Sequence, residues 1–320
     1  MKKYIALVLA LALVLTMAAC GTEPADDGKL TIGICQIEPH PALDAATQGF
    51  KDALIAEFGA ENIEFLEQNA AGDSNTLNTI INDFVSKKVD LILANATPVL
   101  QTAAAATTVI PILGTSVTEY GVALDIDNFD GLVGGNISGT SDLAPLEEQA
   151  DMILEWFPEA KNIGLLYCLA EANSKYQVDV VKAYLETKGL NVTLFGFSST
   201  NDLAAVTQEA ADASDVIYVP TDNTVANSTG IINEICLAAK VPIIAGEEGI
   251  CSGCGVATLS ISYYDLGVTT GEMAIKILKG EADISTMRIQ YAAAPTAKYD
   301  AERCAELGLT PPEGYVAIEK

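Results

Sequence analysis

Short apolar runs alternate with amphipathic helical stretches along most of this chain, and this alternation restricts the possible folds more than any other feature. The run at 30–37 has the composition of a buried strand, and the apolar residues of Pro41–Phe58 recur three and four apart, as on a helix. The same argument predicts strands at 62–66, 91–94 and 110–113, and helices at 75–87 and 98–107. Apolar strands separated by helices are typical of βαβ units in a parallel sheet.

The alternation restarts after a glycine-rich interval at 131–139. Helices are predicted at 144–157, 174–188, 202–213, 224–240 and 264–278, and strands at 162–168, 192–195, 216–219, 241–245 and 256–262. Because both halves share this rhythm, we expect an α/β fold made of two Rossmann-like, doubly wound parallel-sheet lobes.

The amino terminus has the features of a secretory signal. Lys2 and Lys3 precede an apolar stretch that ends in small residues directly before Cys20. A transmembrane helix is the alternative, but roughly 15 uncharged residues fall short of the ~20 that a bilayer requires. The segment 17–20 resembles the bacterial lipobox, which predicts a signal peptide at 1–19, diacylation of Cys20 and a lipidated acidic tether at 20–28. Ordinary secretion, with Cys20 left as a plain thiol, is the other interpretation.

The chain is strongly acidic, with a net charge of −26 that becomes more negative once Lys2 and Lys3 leave with a signal peptide. Such a surface repels nucleic acid and anionic lipid. We therefore expect no nucleic-acid partner, and contact with the membrane through the lipid anchor only.

Of the seven cysteines, six follow Cys20. Three of them lie inside apolar runs, where cysteine is usually a small buried hydrophobe: Cys35, Cys168 and Cys236. Cys251 and Cys254 are spaced for a local disulfide or for a metal, but a metal site needs two further soft ligands, and the only histidine, His40, is far away in sequence. We predict that these thiols are unpaired. The alternatives are a local disulfide and a metal-binding or redox role. No cofactor is expected.

The motifs that mark common enzyme and nucleotide sites are missing from the sequence. Neither half opens with Gly-x-Gly-x-x-Gly, and the chain contains neither Gly-x-x-x-x-Gly-Lys-Ser/Thr nor a Gly-x-Ser-x-Gly elbow. With a single histidine, the chain offers few candidate side chains for acid–base catalysis. We therefore predict a binding protein that is not an enzyme.

Four short segments carry a resemblance to a known family: 33–44, 220–224, 245–249 and 262–267. Together with the lipobox and the two lobes, they resemble the substrate-binding proteins of ABC importers with the type I periplasmic-binding fold. Within that group they are similar to the subfamily whose best-known members bind tryptophan and tyrosine. The likeness covers essentially everything after Lys29. One loop departs from it, because Ser116–Tyr120 stands where many members have Asp-Pro.

This resemblance implies an extracytoplasmic, membrane-anchored monomer that closes over a solute and is recognised by an ABC permease with its ATPase. It implies an N-lobe of 29–139 plus 250–283 and a C-lobe of 140–249 plus 284–320, joined by a three-stranded hinge. The implied ligand is an amino acid, with an aromatic one such as tryptophan or tyrosine favoured. A sensor lipoprotein and an extracytoplasmic enzyme on the same scaffold are alternatives, and nucleosides or small sugars are alternative ligands.

Ligands of open α/β sheets bind beyond the carboxyl ends of the strands. The polar residues predicted there are Glu38, His40, Asn95, Thr97, Ser116 and Thr118 on the first lobe, and Tyr167, Asn173, Asp222, Asn223, Glu247 and Glu248 on the second, with Tyr263 beside them.

An amino acid gives these residues distinct roles. Hydroxyls of Thr97, Ser116 and Thr118 would meet its carboxylate, and Asp222 with Glu247 or Glu248 its ammonium group. A ring would pack on a tyrosine, the candidates being Tyr120, Tyr167, Tyr263 and Tyr264. The alternatives are a plain helix cap for Asp222, and one member of each adjoining pair, the glutamates and the tyrosines at 263–264, turned away from the ligand.

Overall fold

The computed structural model of the chain describes residues 28–319. The predicted signal peptide at 1–19, the lipidation site Cys20 and nearly all of the tether lie outside the described residues. Within residues 28–319, no helix has both the length and the apolar character needed to span a bilayer.

The first sheet has six parallel strands, flanked by helices. Its strands are β1 (Leu30–Gln36), β2 (Ile63–Asn69), β3 (Leu91–Asn95), β4 (Ile112–Val117), β5 (Ile137–Ser141) and β11 (Gln290–Tyr291), in the order β11-β5-β4-β3-β1-β2. The flanking helices are α1 (Pro41–Phe58), α2 (Ser74–Lys87), α3 (Thr97–Ala106), α4 (Tyr120–Ala123) and α11 (Tyr263–Leu278). Every residue of β3 is buried, as expected for a strand covered on both faces.

The second sheet has seven strands and one antiparallel pair. Its strands are β6 (Asn162–Cys168), β7 (Asn191–Phe197), β8 (Val216–Val219), β9 (Ile243–Ala245), β10 (Ala257–Ser260), β12 (Thr296–Tyr299) and β13 (Val316–Ala317), in the order β13-β12-β10-β9-β8-β6-β7. Only β10 and β12 run antiparallel among the described strands. The helices are α5 (Leu146–Trp156), α6 (Ala172–Thr187), α7 (Thr200–Ala213), α8 (Asn223–Ala226), α9 (Thr229–Ala239), α10 (Glu248–Cys254) and α12 (Ala301–Leu307). The predicted α/β fold with two parallel-sheet lobes is confirmed.

The strand predicted at 256–262 was assigned to the wrong lobe, because it joins the second sheet and not the first. This strand is β10, and it pairs with β9 and β12 in the second lobe, where Cys251 and Cys254 of α10 also pack in the core. Conversely, Ile284 and Ile289 pack in the first lobe and β11 pairs with β5. The chain therefore crosses between the lobes after β5, after β10 and after β11. Alternation of strands and helices does not reveal which of two sheets a strand joins.

Two local predictions also fail for physical reasons. The helix predicted at 224–240 is broken into α8 and α9, with Asn227 and Ser228 between them. Strand β5 was missed because it lies in the glycine-rich interval. Gly139 has a φ of 146°, and a Cβ there would lie 2.1 Å from the Gly114 carbonyl oxygen. This glycine permits a close approach of two strands within what the sequence showed only as a glycine-rich interval.

Helices α1 and α11 pack very closely because glycines lie at their contact. A Cβ on Gly267 would lie 2.0 Å from the carbonyl oxygen of Ala46, and one on Gly49 would lie 2.1 Å from that of Tyr264. Both helices begin beside the cleft between the lobes, at Pro41 and Tyr263. Their contact therefore fixes the direction in which His40 and Tyr263 enter the cleft.

Replacing Gly267 with alanine should destabilise the protein, because backbone atoms surround the added methyl group and the two helices must separate. We expect Gly267→Ala to lower the free energy of unfolding by about 2–3 kcal/mol, as overpacking commonly does. Urea denaturation followed by circular dichroism measures this. The matched control is Gly230→Ala on α9, where a Cβ meets no atom within 4 Å. Equal stability of the two variants would contradict the close α1–α11 packing.

Candidate ligand-binding site

A polar cavity lies between the lobes, where the carboxyl ends of both sheets face each other. Eight of the residues predicted for the site line it: His40, Ser116, Thr118, Asn173, Asp222, Asn223, Glu247 and Tyr263. Five further lining residues were not predicted: Leu43, Asp142, Thr221, Ala226 and Ile250. The strand ends of both lobes therefore converge on one site, as the sheet topology requires.

Five predicted residues do not line this cavity. Tyr167 packs in the hydrophobic core of the second lobe. Glu248 faces outward and forms a 2.6 Å ion pair with Lys298. Asn95 and Thr97 are buried within the first lobe, where Asn95 donates to the Leu43 carbonyl at 2.9 Å. Glu38 is buried and bonds across the cleft to Asn227.

Asp142 is the main feature of the site that sequence reasoning missed. It follows β5 at the first crossing between the lobes and is only 4% exposed. One carboxylate oxygen, Oδ2, accepts a 2.9 Å hydrogen bond from the Tyr263 hydroxyl, while Oδ1 has no hydrogen-bond partner among the described residues. The only available signal was its position after a strand end, and that strand had itself been missed.

The two predicted carboxylates bind the backbone instead. Asp222 accepts from the N–H groups of Val225 at 2.9 Å and Cys168 at 2.7 Å, so the alternative of a helix cap describes it correctly. Glu247 caps α10 by accepting from the N–H groups of Gly249 and Ile250. Asp142 is therefore the cavity acid with an oxygen left for a ligand.

Burial of these acids shifts their titration toward neutral pH. Burial raises the pKa of Asp142, and it raises the pKa of Glu247 to about 7. The pKa of Asp222 is also raised, by burial and by the neighbouring charge of Glu171. Among the described residues that line the cavity, none is lysine or arginine. The cavity therefore favours a ligand that brings a positive charge.

Three buried acceptor atoms on the cavity wall lack partners among the described residues: Asp142 Oδ1, Asn173 Oδ1 and His40 Nδ1. Asn173 turns its amide nitrogen to Glu171 Oε2 at 3.2 Å and to the Thr221 carbonyl at 2.9 Å, which leaves its oxygen unpaired. Ser116, with a left-handed φ of 54°, adds an unpartnered hydroxyl. Buried polar atoms without partners are uncommon, and their concentration here indicates a polar ligand.

The tyrosines divide as the alternation of side chains predicted. Tyr263 is buried and lines the cavity, whereas Tyr264 is 42% exposed and donates to Asp52 on the surface. Tyr120 is a core residue that donates to the Thr140 carbonyl. Tyr263, Leu43 and Ile250 thus contribute apolar surface to the cavity wall.

The six cysteines of the described residues are all free and buried: Cys35, Cys168, Cys236, Cys251, Cys254 and Cys304. The pair at 251 and 254 lies on α10 with no bond between the sulfurs, so the prediction of unpaired thiols is confirmed.

Fold and cavity together define a two-lobed protein that binds a small solute between its lobes. The model of the ABC transporter substrate-binding protein family matches residues 31–313, and this chain belongs to that family. A "Tyrosine-binding protein" of Clostridioides difficile is 36% identical over 298 residues, covering 88% of this chain and 85% of the relative.

Two solved structures show how the lobes compare. A Streptococcus pneumonia structure, described as an ABC domain in complex with L-Trp, is 31% identical with a TM-score of 0.86, covering 91% of this chain and 100% of its own. A ligand-free, open substrate-binding protein with adhesive properties from Clostridium difficile is 37% identical, yet its TM-score is 0.69 over 91% of this chain and 99% of its own. The overall arrangement is thus more similar to the complex than to the open structure.

Glu247 gives a testable pH dependence in the solute-free protein. Between its ordinary pKa of 4.5 and about 7, the folded carboxyl holds a proton that the unfolded chain releases. The unfolded state then binds fewer protons, so the free energy of unfolding should fall as pH rises through this window. At about 1.4 kcal/mol per pKa unit, the fall attributable to Glu247 is roughly 3 kcal/mol. Denaturant titrations at several pH values measure it.

Glu247→Gln should remove this share of the pH dependence. Glu209→Gln, on the exposed face of α7, is the control and should leave the slope unchanged. Parallel stability curves for Glu247→Gln and the unmodified protein would show that Glu247 ionises normally in the fold.

Proposed function

We propose that this protein captures a zwitterionic amino acid with an aromatic side chain outside the cell and delivers it to an ABC permease and its ATPase. Membership of the substrate-binding family supports the transport role. The names of its relatives, one tyrosine-binding and one in complex with L-Trp, support the ligand class. The protein binds its solute as a monomer and without altering it chemically.

The observation that carries the proposal is the set of unpartnered acceptors around one cavity. An ammonium group has three N–H donors, and Asp142 Oδ1, Asn173 Oδ1 and His40 Nδ1 are three buried atoms able to accept them. Asp142 also supplies negative charge in a place where little water screens it. A neutral sugar or nucleoside would leave this carboxylate without a cation.

The rest of the cavity suits the other parts of an amino acid. The unpartnered Ser116 hydroxyl, with Thr118 beside it on the wall, can donate to the ligand carboxylate. Tyr263, Leu43 and Ile250 provide an apolar side for the ring. This division of one cavity into acceptors, hydroxyl donors and an apolar wall matches the three parts of tyrosine or tryptophan.

A ligand panel tests the ligand class. We expect L-tyrosine, L-tryptophan or L-phenylalanine to raise the melting temperature of refolded protein, while other amino acids, nucleosides and sugars do not. A ligand at 100 times its dissociation constant adds about 2.7 kcal/mol of stability. Asp142→Asn should then weaken binding by about 1.5–3 kcal/mol, because a charge-assisted hydrogen bond to the ammonium group is lost. Calorimetric titration measures that loss.

Asp212→Asn, on the exposed face of α7, is the charge-matched control and should bind normally. A shift only with sugars or nucleosides would refute the amino-acid assignment. Unchanged affinity in Asp142→Asn would mean that another acid holds the ammonium group.

The anchor is proposed from the sequence alone. Cys20, after the apolar segment, would carry the lipid and hold the acidic protein at the membrane surface. Cys20→Ser should move the protein from the membrane fraction to the soluble fraction of fractionated cells and abolish its labelling by a fatty-acid analogue. Cys304→Ser, which removes a buried thiol, is the control and should stay with the membrane. Retention of Cys20→Ser in the membrane would contradict the anchor.

A further inference from the structure

Two side-chain hydrogen bonds cross the cleft between the lobes. Glu38 Oε2, after β1 of the first lobe, accepts from Asn227 Nδ2 of the second at 2.5 Å. His40 Nε2, two residues further along the first lobe, lies 3.2 Å from Asn223 Oδ1. Glu38, His40 and Asn223 are buried, while Asn227 is exposed to solvent.

The spacing of the two pairs matches across the cleft. Asn223 and Asn227 are four residues apart on one helical turn, because the Asn227 N–H bonds the Asn223 carbonyl, so they are separated by about 6 Å along the helix axis. Glu38 and His40 are two residues apart on either side of Pro39, and two residues of extended chain span about 6.6 Å. His40 itself is extended, with φ −155° and ψ 160°. Both bonds can therefore form at once.

Glu171 determines how Asn223 faces the other lobe. Its Oε2 accepts from Asn223 Nδ2 at 2.6 Å, which turns the Asn223 carbonyl oxygen toward His40. Since that oxygen can only accept, His40 must carry its proton on Nε2, and Nδ1 is left as an acceptor on the cavity wall. The bond between the lobes thus prepares His40 to meet a donor on the solute.

We propose that these two hydrogen-bonded pairs form an interlobe latch. The Glu38–Asn227 bond holds the lobes closed without touching the solute, and the His40–Asn223 bond holds them closed from the cavity wall. Glu38 and Asn227 are positioning residues, because neither lines the cavity. The latch acts on the equilibrium between open and closed lobes, and it is independent of which solute binds. A solute that binds the closed form gains affinity in proportion to the closed fraction.

Single-molecule fluorescence transfer tests the latch. Dyes are attached to full-length mature protein at Lys87→Cys on α2 and Lys175→Cys on α6, both exposed, with Cys20→Ser to prevent labelling there. The buried native thiols react slowly; burial raises the pKa of Cys168 to about 11, for example. In solute-free protein we expect Asn227→Ala to lower the ratio of closed to open molecules about fivefold, the effect of a partly exposed charge-assisted bond.

Asn201→Ala, an exposed asparagine of the same lobe on α7, is the matched control and should leave the closed fraction unchanged. Glu38→Gln keeps an acceptor oxygen but loses the charge, so its closed fraction should lie between those of Asn227→Ala and Asn201→Ala. Circular dichroism of Asn227→Ala should show the spectrum and the cooperative unfolding of the unmodified protein, which separates a latch effect from a folding defect.

The same molecules are then measured with L-tyrosine and L-tryptophan as probes. We expect the apparent dissociation constant of the bound probe to rise in Asn227→Ala by the factor by which its closed fraction falls, through faster release. An unchanged closed fraction in Asn227→Ala, or an unmodified protein that never closes without solute, would overturn the latch. If neither probe alters the unmodified protein, its solute is neither tyrosine nor tryptophan, while the solute-free measurements still decide on the latch.

Discussion

Carboxylates buried at the cleft between the lobes are the constraint around which this structure is organised. A charged group removed from water is costly unless hydrogen bonds or an opposite charge compensate it. Parallel sheets with following helices provide such compensation, because helices that begin at the strand ends have free N–H groups there. Asp222 and Glu247 use these N–H groups, and Asp142 uses the Tyr263 hydroxyl with one oxygen only. The fold thus supplies hydrogen bonds to Asp222 and Glu247, and it leaves one oxygen of Asp142 available to a ligand.

Most of the fold followed from apolar periodicity, because a strand covered on both faces must be apolar along its length. The predicted strands at 91–94 and 162–168 lie within one residue of β3 and β6. What periodicity could not supply was pairing: β10 belongs to the second sheet through contacts with β9, the strand before it, and with β12, which is distant in sequence. Nor could it distinguish a glycine that bends the chain from one that permits close approach, as Gly139 does.

The site was predictable in position and less so in the roles of its residues. Strand ends locate a side chain to within a residue, which is why His40, Ser116, Asn223 and Glu247 meet in one cavity. Whether a carboxylate serves the backbone or a ligand depends on hydrogen bonds that the sequence does not show. An acid before a helix favours a cap, and both predicted ammonium partners proved to be caps. Asp142 has no helix directly after it, and one of its oxygens is left unpaired.

The break between α8 and α9 connects these points to the motion of the lobes. A continuous helix over 224–240 would match the apolar pattern, yet the chain turns at Ser228, one residue after Asn227 reaches Glu38. Direct contacts with a solute alone would couple affinity to the fit of that solute. Contacts between the lobes instead set the closed population for any solute, so affinity and selectivity can be tuned by different residues. In the proposed mechanism, the acids and hydroxyls of the cavity select the solute, while Glu38 and Asn227 adjust how long it stays bound.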